Sequence, residues 1–117
     1  MKPPYLKTAN KIRRSKGRHV TLNVQIATEQ VKQQLLHTME LVSKTIKGSP
    51  TNPFPKIVYV NLFLGHLNML DLIESALKLN EQYIKSEDTR RICDKELVEA
   101  KANFQATNKQ FIETYYD

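Results

Sequence analysis

The chain has 117 residues, 40% of them apolar and 26% charged, with a formal net charge of +6. That is enough for one domain with its own core, and too apolar for a disordered tract. The single cysteine, Cys93, excludes an internal disulfide and suits a reducing, cytoplasmic setting, and no apolar segment after the basic start resembles a secretory signal.

The charge belongs to one end. Residues 1–28 hold Lys2, Lys7, Lys11, Arg13, Arg14, Lys16 and Arg18 and no carboxylate, whereas from Glu29 onward eleven basic residues meet twelve acidic ones. Positive charge gathered in this way recruits a polyanion, most often a nucleic acid. Residues 1–19 therefore read as a basic N-terminal arm ahead of a single domain, 20–117. Within the arm, residues 4–16 fit a short helix that Pro4 starts and Gly17 stops. Lys7, Lys11, Arg14 and Arg18 would then share one side. A flexible tail that orders only on its partner is the alternative. A transit peptide would share the acid-free composition, but Pro3-Pro4 and the shortage of Ser and Arg argue against it.

Val20, Leu22, Val24 and Ile26 alternate with Thr21, Asn23 and Gln25, the period of a half-buried strand over residues 20–26. Thr28 is a candidate N-cap, and Val31, Leu35, Met39, Val42 and Ile46 recur at helical spacing, so a helix is expected over about 28–47 with Gly48 at its end. Ser49 to Pro55 is a turn-rich connector. A second helix is expected over about 57–84, apolar around most of its circumference, although Ile57 to Val60 would also suit a strand. The longest apolar run, Ile57 to Gly65, is broken by Asn61 and is well short of the roughly 20 residues that cross a bilayer. Ser86 with Glu87 and Asp88 opens a third helix over about 87–115, with a seam at Cys93, Leu97, Ala100, Phe104, Thr107 and Phe111. The expected fold is mainly α: a basic arm, one short strand pairing with its copy across a dimer, and a three-helix, bundle-like body.

The stretch HVTLNVQIATEQVKQQLLHTMELV, following a basic arm, resembles the strand and first helix of ribbon-helix-helix DNA-binding proteins, over about residues 18–80. That resemblance implies a homodimer whose two-stranded ribbon enters the major groove. Thr21, Asn23 and Gln25 would touch base edges there, while Lys7, Lys11, Arg13, Arg14, Lys16 and Arg18 hold phosphates. FPK before an apolar helix, with LIESALKLNEQYIKSED, is similar to small basic four-helix-bundle proteins of mobile elements that bind structured RNA.

Other candidates have plainer explanations. Arg14 to His19 has the R-x4-H spacing of helical-bundle ribonucleases, but it contains Gly17 and lies in the arm. His37 and His66 have no ligand-type neighbours at metal spacing. Cys93 follows Arg90 and Arg91 but has no base to activate it. Asp94, Glu96 and Glu99 read as a solvated face. Tyr115 and Tyr116 could stack on bases or close the apolar end of a bundle. No glycine-rich phosphate loop is present. The expectation is a non-enzymatic nucleic-acid-binding protein without metal or cofactor, forming a homodimer or higher oligomer and making no membrane contact. DNA is the favoured partner. An RNA-binding subunit of a larger nucleoprotein assembly, or a structural subunit whose arm docks on an acidic protein, remains open.

Overall fold

The computed structural model describes residues 3–51 and 53–117, so Lys2 lies outside the described residues. Among the described residues four α-helices follow one another: α1 Pro4–Arg13, α2 Val20–Gly48, α3 Lys56–Lys78 and α4 Glu87–Tyr115, with a 3-10 turn, Glu81–Tyr83, between the last two. Among the described residues there is no strand.

The expected strand over residues 20–26 is instead the first two turns of α2. Val20 and Val24 are buried, while Leu22 and Ile26 are 56% and 38% exposed. An alternating run is two interleaved i, i+4 pairs, and a helix buries one pair and exposes the other. The buried pair continues in register through Ala27, Val31, Leu35, Met39 and Val42, so one long helix joins it to the core. A helix also satisfies its own backbone, whereas a lone strand leaves N–H and C=O groups without partners. The cross-dimer ribbon is thereby excluded. Thr28, read as a cap, is a buried mid-helix residue whose hydroxyl bonds the Gln25 carbonyl and the Glu96 carboxylate.

α2 is the central helix and touches the other three. α3 runs antiparallel to it, and α4 antiparallel to α3. α3 ends at Lys78, earlier than expected, and the chain turns through Asn80. α4 begins where the sequence suggests, with the Ser86 hydroxyl accepting from the Thr89 N–H. Its Cys93, Leu97, Phe104 and Phe111 are buried at heptad-like spacing.

The basic segment is not an appendage. α1 folds back along the first part of α2 and also packs on α3, with Ala9 and Ile12 fully buried. Burial of a side chain the size of Ile12 contributes about 1.5–3 kcal/mol. The Thr8 hydroxyl bonds Gln30 Oε1 at 2.7 Å across the α1–α2 seam. At about 1.5 Å per residue, α1 is roughly 15 Å long and α2 roughly 44 Å, so α1 covers only one end of the bundle. The molecule is accordingly elongated, 56 × 29 × 18 Å.

The far end is closed by aromatic rings. Tyr59 stacks on Phe111 with centroids 4.5 Å apart, and Tyr115 and Tyr116 pack against Phe111. The buried Tyr59 hydroxyl donates to Asn108 Oδ1, and the Tyr116 hydroxyl to the Phe54 carbonyl, both at 2.8 Å. By length and apolar character α3 alone among the described helices is a candidate membrane span, yet Tyr59, Phe63, His66, Leu70 and Ile73 on it belong to the bundle core.

Candidate nucleic-acid interface

Because Thr8, Ala9 and Ile12 occupy the buried side of α1, Lys7, Lys11 and Arg13 are left on its exposed side. The helix stops at Arg13, and residues 14–19 turn the chain sharply into α2. Three residues of this turn have left-handed backbone: Lys16 (φ 52°), Gly17 (φ 83°) and His19 (φ 54°). Only glycine adopts that region without cost, so Lys16 and His19 each carry on the order of 1 kcal/mol of strain.

Asn80 holds the turn in place. Its side chain is 1% exposed, and it lies just beyond the end of α3. Nδ2 donates to the carbonyls of Ile12 at 2.7 Å and Ala76 at 3.0 Å, while Oδ1 accepts from the Gly17 N–H at 3.2 Å. One buried carboxamide thus satisfies the end of α1, the end of α3 and the middle of the turn. Tyr83 packs against Gly17 so closely that a Cβ there would lie 2.9 Å from the Tyr83 carbonyl oxygen.

The result is an open concavity of about 850 Å³ lined by Lys11, Arg14, Ser15, Lys16, Arg18, His19, Leu22 and Asn23. Lys7, Arg13 and the exposed Tyr83 lie outside that lining. Seven of the eleven cations beyond residue 28 sit within ion-pair distance of a carboxylate; examples are Lys101 with Asp71 and Glu74, and Arg91 with Asp88. None of Lys7, Lys11, Arg13, Arg14, Lys16 and Arg18 forms an ion pair among the described residues. Like charges held together without counter-charge make a focused positive field.

The three residues expected to read bases are scattered, because helix geometry turns i and i+2 about 200° apart. Thr21 faces α4, with its hydroxyl 3.8 Å from Cys93 Sγ; Asn23 is 7% exposed in the wall of the concavity; Gln25 is exposed outside it. They cannot act together on one groove. Arg14 and His19 share the rim of the concavity. Beyond the residues expected from the sequence, Ser15 and Leu22 line the concavity, and Asn80 and Tyr83 pack against its turn at Gly17. The signal for Asn80 is weak: it stands in LKLNEQY with neither Gly nor Pro to mark a break, so the helix pattern reads through it.

Elsewhere, no group of His, Cys, Asp and Glu side chains suited to a metal ion occurs among the described residues. Burial pushes the Cys93 thiol above its usual pKa, which disfavours the thiolate. His66 is buried with Nδ1 2.7 Å from the Leu62 carbonyl, a packing role. No protein-family model, curated protein or solved structure matches the chain.

Proposed function

We propose that this is a non-enzymatic nucleic-acid-binding protein that holds the phosphate backbone at the α1–α2 turn. The observation that carries the reading is the set of basic side chains gathered on one turn with no carboxylate partner among the described residues, while most other cations described are paired. Phosphate contacts of this kind position a nucleic acid without reading its sequence. Loss of the strand removes the reason for preferring a major-groove DNA reader. Tyr83, 44% exposed, has its Cβ beside Gly17, which brings an aromatic residue to the basic turn, the combination that suits unpaired bases. Structured RNA with accessible loop bases is the ligand class that fits best.

Titration of binding against salt tests this. With four to six phosphate contacts to an unpaired strand, log K should fall against log salt with a slope of about −3 to −4. Arg14→Ala with Arg18→Ala should lower affinity about tenfold or more and flatten the slope by about 1.4. Lys109→Ala, at an exposed site on α4 away from the turn, should change neither. A slope near zero would remove the nucleic-acid reading. A hairpin RNA that competes no better than duplex DNA of equal length would remove the preference for RNA.

A further inference from the structure

α3 is apolar on both sides but only partly covered. From Ile57 to Leu70 it carries no charged residue, and its core side is used by Tyr59, Phe63, His66, Leu70 and Ile73. On the opposite side Ile57, Asn61, Leu64, Gly65, Asn68 and Leu72 fall within about 100° of one another at 100° per residue. Ile57 is 67% exposed and Leu64 47%, and both asparagines are exposed. The monomer leaves Ile57, Asn61, Leu64 and Asn68 exposed and covers Gly65 and Leu72 only in part, so most of the stripe is left for another surface to cover.

Two features say what does. Glycine in the middle of a helix costs about 1 kcal/mol relative to alanine. Gly65 has no reason for that cost within the monomer, because a Cβ there would meet nothing within 4 Å. A missing side chain on an outward face permits close approach by another backbone. The order of the stripe also matches its own reverse. Laid antiparallel on a copy of itself about an axis between residues 64 and 65, Leu64 falls against Gly65 and Ile57 against Leu72. Asn61 then meets Asn68, and each carboxamide both donates and accepts, so the pair satisfies itself only in that register.

Charge selects the same arrangement. A chain of net charge +6 that binds itself must do so where its cations do not meet. The stripe is uncharged. Antiparallel pairing sends the two Asn80-anchored basic turns to opposite ends, roughly 45 Å apart at about 1.5 Å per residue, several screening lengths at physiological salt. Parallel pairing would bring them together.

We infer that the outer face of α3 is a homodimer interface in which two copies pack antiparallel across Leu64 and Gly65. It stands apart from the nucleic-acid reading, because it is measured without nucleic acid. Sedimentation equilibrium over about a hundredfold range of protein concentration should show mass rising toward twice the 13.6 kDa of one chain. Leu64→Glu should hold the protein at one chain while its helical circular dichroism is unchanged, because that side chain is exposed in the monomer. Gly65→Leu should weaken association at least tenfold. For register, an Asn61→Cys chain mixed with an Asn68→Cys chain should form the mixed disulfide in preference to either self-disulfide; the native Cys93 is buried and does not compete. Mass that stays at 13.6 kDa throughout overturns the inference and leaves the face to another partner or a bilayer. So does a dimer indifferent to Leu64→Glu, and so does self-linkage of Asn61→Cys in preference to the mixed pair.

Discussion

Asn80 and Gly17 are 63 residues apart in sequence and joined by one hydrogen bond, 3.2 Å from the Gly17 amide to the buried Asn80 carboxamide oxygen. Through that contact the end of α3 sets the shape of the basic turn. The same side chain serves the carbonyls of Ile12 and Ala76, so the cations are mounted on the core and not on a tail.

Asn80→Leu is expected to destabilise the fold by about 2–4 kcal/mol, because the Ala76 carbonyl and the Gly17 N–H lose their side-chain partner and the Ile12 carbonyl keeps only Ser15, in a space with little room for water. Urea unfolding measures it. RNA affinity in the folded fraction should also fall, because the turn loses its anchor; a variant that unfolds more easily yet binds at full strength would show that the turn shapes itself.

Gly17→Ala should cost about 2 kcal/mol or more. The left-handed φ of 83° accounts for roughly 1–2 kcal/mol, and the Cβ contact at 2.9 Å with a backbone oxygen adds to it. Lys16→Gly should act in the opposite sense on stability, raising it by up to about 1 kcal/mol through relief of its own positive φ, while RNA binding weakens. Thermal unfolding of the two variants side by side tests both signs.

Val24→Asp and Leu22→Asp separate a helix from a strand at residues 20–26. In a strand the two positions share the core face and would suffer alike. In α2 Val24 is fully buried, whereas Leu22 is largely exposed. Val24→Asp is expected to abolish folding or cost over about 4 kcal/mol, and Leu22→Asp to cost under about 0.5 kcal/mol. Equal losses in denaturant midpoint would contradict the helix.

Stability should decline at both ends of the pH scale through the α3–α4 ion-pair group. A hydrogen bond from Lys101, 3.1 Å from Glu74 Oε2, is the main cause holding the Glu74 carboxyl below its ordinary value of 4.5. Its contribution is complete above that pH and fades as pH falls through the lowered value. Hydrogen bonds to Asp71 and then Glu74 hold Lys101 above 10.5, so its contribution is complete below that pH and fades as pH rises through the raised value. These groups are largely solvated, and the pairs together are worth about 0.5–1 kcal/mol. Glu74→Gln should flatten the acid limb below about pH 4.5, seen in denaturant midpoints, and leave the neutral plateau only slightly lower.

The sequence by itself determined the helical content after residue 28, the start of α4 at Ser86, the seam through Cys93, Leu97, Phe104 and Phe111, and the concentration of positive charge before Glu29. Each is a local matter of period, cap chemistry or composition, which the chain carries wherever it folds. Residues 20–26 were ambiguous locally, because V-T-L-N-V-Q-I fits a period of two and also two i, i+4 pairs. Only the continuous buried stripe into Val31 and Leu35 decided for the helix. Tertiary structure alone placed Asn80 under Gly17, turned Thr21 toward α4 and Asn23 into a wall, and left Gly65 facing open space. Those outcomes depend on which faces meet across dozens of residues, and side-chain spacing along one chain does not encode that distance.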